Sequence, residues 1–69
     1  MEMAYKTYQV EFDREEDGRW IADIPGLPGV MAYGATKEEA TANVEALALR
    51  VVAEQVETSK KALSAVTFS

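Results

Sequence analysis

Sixty-nine residues with twelve acidic and seven basic side chains, a formal charge of -5 and neither cysteine nor histidine make one domain without a disulfide or an ordinary zinc, copper or haem site. A chain this short buries only about 60% of its unfolded surface, so further stability is expected from self-association, as a dimer or higher homo-oligomer. The acidic surplus repels phosphate backbones and anionic membranes and suits a basic protein partner. Met1 to Lys6 has neither the basic region nor the apolar run of a signal peptide, and no apolar run nears the roughly 20 residues that cross a bilayer, so a cytoplasmic protein is expected.

Tyr8, Val10 and Phe12 alternate with Gln9, Glu11 and Asp13, the period of a half-buried strand, and Trp20, Ala22 and Ile24 continue that period in a second. An antiparallel hairpin through the loop Arg14 to Gly18 keeps these six residues on one face if Phe12 faces Trp20, Val10 faces Ala22 and Tyr8 faces Ile24, with Asp13 opposite Arg19. Gly18 supplies the left-handed residue of that loop. The second strand runs into Pro25-Gly26-Leu27-Pro28-Gly29 and must stop, because each proline removes a backbone donor and each glycine opens turn conformations. Val30 to Tyr33 reads as a short third strand ended by Gly34.

Thr36 with Glu39 three positions on has the capping-box spacing, and from Lys37 to about Thr58 neither proline nor glycine interrupts a run rich in alanine, glutamate and leucine. One long helix is predicted, followed by a last strand from Leu63 to Phe68 with Ser64, Val66 and Phe68 on one side. The expected fold is α+β in the order β-β-β-α-β, three antiparallel strands with the helix on one sheet face and then a fourth strand, filling residues 1–69 as a single domain.

The helix carries two apolar stripes. Ala40, Val44, Leu47 and Val51, flanked by Ala48 and Val52, have the spacing of a face packed on a sheet, and with Phe12 and Trp20 they are the expected core. Ala42, Ala46, Leu49, Ala53 and Val56 lie on roughly the opposite side, where a surface helix is ordinarily polar. They are either good helix formers with scattered exposed apolar groups, or the oligomer interface; the second reading is taken forward.

Catalysis finds little support. The run Asp13 to Gly18 imitates the start of a calcium loop, but its twelfth position is Ile24 rather than a bidentate glutamate, so it is a solvated turn. Glu11 and Asp23 fall diagonally on the outer face of the predicted hairpin, too few carboxylates for a two-metal nuclease and without a nearby group to handle phosphates. With histidine and cysteine absent, no nucleophile has its usual base, and neither a metal nor a cofactor is expected. The Pro25–Gly29 loop either redirects the chain or offers a stiff recognition surface; Pro25, Leu27, Pro28, Val30 and Tyr33 are the candidate partner-binding residues.

Tyr8-Gln9-Val10-Glu11-Phe12, Glu16-Asp17-Gly18-Arg19-Trp20-Ile21-Ala22, Pro25-Gly26-Leu27-Pro28-Gly29-Val30, and Gly34-Ala35-Thr36-Lys37-Glu38-Glu39-Ala40 with Asn43 together resemble the HicB antitoxins and their stand-alone relatives, over about residues 5 to 55. The most specific part is the Leu-Pro-Gly loop followed at fixed distance by Gly-x-Thr-x-x-Glu-Ala. The resemblance implies a degraded ribonuclease H-like fold that binds and blocks a small basic ribonuclease toxin, HicA, while a separate carboxyl-terminal segment binds operator DNA. Here Val30 stands where a cysteine is common, Ala35 where an acidic residue is common, and no DNA-binding motif follows the fold, so direct nucleic acid binding is not expected. The function expected is that of a non-catalytic antitoxin; the alternative is a solitary oligomeric binding module without a toxin.

Overall fold

The computed structural model describes residues 4–69. Its elements are β1 (Ala4–Tyr8), β2 (Glu11–Arg14), β3 (Trp20–Asp23), β4 (Met31–Gly34), α1 (Lys37–Ser59) and β5 (Leu63–Phe68), an α+β arrangement. β2, β3 and β4 form an antiparallel sheet, and β1 pairs in parallel with β5. The segment expected as one strand is thus two: it pairs with β5 up to Tyr8, crosses Gln9 and Val10, and pairs with β3 from Glu11. The two sheets are stitched at that crossing, where the Val10 N–H donates to the Ser69 carbonyl at 2.7 Å and the Ser69 N–H to the Tyr8 carbonyl at 3.0 Å.

The hairpin register is Phe12 against Ala22 and Arg14 against Trp20, two residues from the expected one. A shift of two preserves every side chain's face, so the inward set survives while the pairs Phe12–Trp20, Val10–Ala22 and Tyr8–Ile24 do not. The turn is the cause. Glu15 donates its N–H to the Arg19 carbonyl at 2.8 Å, Gly18 donates to the Glu15 carbonyl at 2.9 Å, and Gly18 has φ +92°. This is a three-residue loop with glycine in the left-handed position, and Glu15, not Asp13, therefore faces Arg19. In β5 the pairing skips Ser64 at an irregularity opposite Ala4/Tyr5, so Leu63 joins Val66 and Phe68 against the core while Ser64 is exposed.

Thr36 caps the helix from an extended backbone, its hydroxyl accepting the Glu39 N–H at 3.1 Å, and Glu39 reaches back to accept the Ala35 N–H at 3.2 Å. The helix lays Ala40, Val44, Ala48 and Val52 on the sheet, all buried, against Ala22, Ile24, Leu27 and Val30. Leu47 and Val51, expected at the centre of this stripe, flank it half-buried. Gly34 is where the helix comes closest: a Cβ there would lie within 2.8 Å of the Ala40 Cα and of the Glu39 carbonyl carbon. Small residues at Ala22, Ala32 and Gly34 thus let the first turns sit directly on β3 and β4. Trp20 and Phe12 close the rim rather than the centre of the core, with the Lys37 ammonium 4.6 Å from the Phe12 ring and the Arg14 guanidinium 5.0 Å from the Trp20 ring.

Candidate functional site

Pairing fixes what the helix leaves uncovered. Glu11, Asp23 and Met31 form one row across the three strands, and Asp13, Ile21 and Tyr33 the next, all on the face turned away from α1. Glu11 and Asp23 are directly opposite rather than diagonal. Like charges so placed cost stability, and nothing in the hairpin requires them. Met31 and Tyr33 are 47% and 43% exposed, and Ile21 between the acids is half-buried, so three carboxylates surround a strip of exposed apolar surface. Arg19 stands at the edge of this face and is engaged elsewhere: its guanidinium lies 4.6 Å from the centre of the Tyr33 ring while its Nε–H donates to Asp17 at 2.7 Å. The Arg19 backbone N–H, first of all, and then its side chain hold the Asp17 carboxyl below its ordinary value.

The Pro-Gly loop continues this face at the Asp23/Met31 end. It consists of two consecutive four-residue turns, closed by Leu27 N–H to the Ile24 carbonyl at 2.9 Å and Val30 N–H to the Leu27 carbonyl at 3.0 Å. Each has proline second and glycine third, and Gly29 has the φ of +83° that a type II turn requires there. Leu27 and Val30 are buried, at 4% and 5% exposure, and plug the loop into the core, so their side chains are beyond a partner's reach. Pro25 and Pro28 are exposed, and with Tyr33 they are the members of the expected partner-binding set that face solvent. Met31 and Ile21 lie outside the expected partner-binding set, as does Asp13, expected only as a hairpin charge opposite Arg19; the signal that joins them was the period-two phase opposite to Trp20, Ala22 and Ala32.

On the helix, Ala42, Ala46, Leu49 and Ala53 are exposed, Leu49 to 50%, whereas Val56 is half-buried and packs on the core. Among the described residues no group of three or more carboxylates is placed to hold a metal ion, and no helix is long and apolar enough to cross a membrane.

No family model matches the chain, and no solved structure matches it. It is 40% identical over 38 residues to the UPF0150 protein Ta0767 of Thermoplasma acidophilum. The match spans 55% of this chain and 55% of that relative, about half the length of each.

Proposed function

We propose that this chain is a non-catalytic HicB-like antitoxin, acting as a homo-oligomer, that binds a small basic HicA-type ribonuclease toxin and blocks it by contact. Partial similarity to a UPF0150 protein, of the HicB-like antitoxin type, supports a toxin-antitoxin-related reading. The observation that carries the contact is the outer sheet face, where Glu11, Asp13 and Asp23 ring the exposed Met31 and Tyr33. Lysine and arginine side chains satisfy both parts of such a surface: their charged heads meet the carboxylates, and their stems and guanidinium planes lie on Tyr33, the position Arg19 occupies in the free chain. Pro25 and Pro28 extend the contact as a stiff edge that loses little freedom on binding. The helix stripe centred on Leu49 supplies apolar surface for self-association.

The test is capture from native lysate on the parent chain and on a Glu11→Lys/Asp23→Lys variant. The expected result is a basic ribonuclease of one small domain retained by the parent only, whose RNA cleavage stops when the parent chain is added back. A captured protein held equally by both chains, or one that cleaves RNA unhindered, overturns the proposal in favour of a solitary binding module.

A further inference from the structure

The helix outruns the sheet beneath it. Its close packing is with β3 and β4, and its last turns stand beside the β1–β5 ribbon across an open groove of about 1040 Å³, floored by Val52, Val56 and Leu63. The molecule is correspondingly drawn out, 48 × 19 × 16 Å, with a radius of gyration of 13.3 Å where a compact domain of this length has about 11 Å. It exposes 4906 Å², about 600 Å² more than the roughly 4,300 Å² of a compact monomer of this mass. That surplus approaches the roughly 800 Å² each partner contributes to a stable interface.

Charge says what covers the groove. Lys6 and Lys61 line its ribbon side and Glu54 its helix side. Arg19–Asp17 is the one ion pair among the described residues, so Lys6, Glu54 and Lys61 make no ion pair among those residues. In an otherwise acidic molecule this end is basic on one wall and acidic on the other. A two-fold axis laying each copy's helix end on the other's ribbon would bring Glu54 of each to the lysines of the other and close both apolar floors at once, the self-complementary arrangement of an isologous dimer.

We propose that this groove is a self-association site, filled by a second copy of the chain through paired Glu54-to-Lys6/Lys61 contacts over Val52, Val56 and Leu63. It rests on the homo-oligomer of the reading above and not on its toxin, and it shares only Val56 with the Leu49 stripe.

Sedimentation equilibrium of the chain alone tests it, with circular dichroism confirming that each variant is folded; Lys6, Glu54 and Lys61 are all exposed, so their replacement leaves the core intact. The parent is expected to dimerise. Lys6→Glu/Lys61→Glu should weaken the dimer about tenfold or more, since like charges then meet twice across the axis, and adding Glu54→Lys in the same chain should restore it. Ala46→Glu/Leu49→Glu should leave the groove dimer in place. A monomeric parent, a reversal without effect, a failed restoration, or loss of all association on changing Ala46 and Leu49 overturns the proposal. No toxin enters these measurements, so their failure is distinguishable from failure of the toxin contact.

Discussion

The backbone of Ala40 occupies the space that a side chain at Gly34 would need. β4 ends at Gly34 and α1 begins three residues later at Lys37, and the return is tight because nothing stands between strand and helix at that point. Gly34 is not in a left-handed conformation, so its requirement is one of space alone. Gly34→Ala must push the first helical turn off the sheet, and the expected cost is about 3 kcal/mol, at the upper end of overpacking effects. Urea unfolding measures it; a variant as stable as the parent would show that the helix start can shift freely.

Burial separates the two apolar helix stripes experimentally. Ile24 is 1% exposed at the centre of the core, so Ile24→Ala should cost about 3 kcal/mol. Leu49→Ala, at a side chain half in solvent, should change the stability of the isolated fold by less than about 0.5 kcal/mol. Equal losses in the two variants at low protein concentration would place Leu49 in the core.

The Asp17 carboxyl is held below its ordinary value by Arg19. Because the folded value is the lower one, the turn contributes stability above the unfolded carboxylate range, and that contribution fades as pH falls through the folded value. A carboxyl NMR titration should find Asp17 titrating below the ordinary aspartate value. The shift should shrink in Arg19→Ala without disappearing, because the side chain is lost while the Arg19 backbone N–H, the largest cause, is kept by alanine; a wholly unchanged Asp17 in that variant would assign the shift to the backbone alone.

Incubation with RNA or DNA in magnesium or manganese is expected to leave both intact. Glu11 and Asp23 face each other across β2 and β3, but the Arg19 guanidinium on that face is two rows further along and is held by Asp17 and the Tyr33 ring. Cleavage by the purified chain that vanishes in Glu11→Gln or Asp23→Asn would contradict this.

Local chemistry made most of the fold legible. Thr36 and Glu39 announced the helix start, Gly18 the hairpin turn, and the phase of Trp20, Ala22 and Ile24 the inward face. The hairpin register was less accessible, because a slip of two residues preserves that phase and only the bond between Glu15 and Arg19 decides it. The split of the first strand was hidden for a different reason: the Tyr8 to Phe12 alternation is unbroken, and the change of partner depends on β5, some sixty residues away, as the Thr7–Thr67 hydroxyl bond shows. The outer face was visible as charge but not as a site, since Met31 and Tyr33 acquire meaning only once pairing sets them beside Glu11, Asp13 and Asp23.

The parallel ribbon of β1 and β5 also orders the folding reaction. The hairpin, β4 and the helix make contacts between near neighbours in sequence, which form early because little chain must be immobilised to close them. β1 cannot pair until β5 arrives from the other end of the chain, the longest loop closure in the molecule. The central segment should therefore gain structure first and the ribbon last, with Tyr8 left without the Phe68 ring it stacks on until the closing step. Substitutions in the hairpin and helix should then slow folding, whereas substitutions in β1 and β5 should chiefly hasten unfolding.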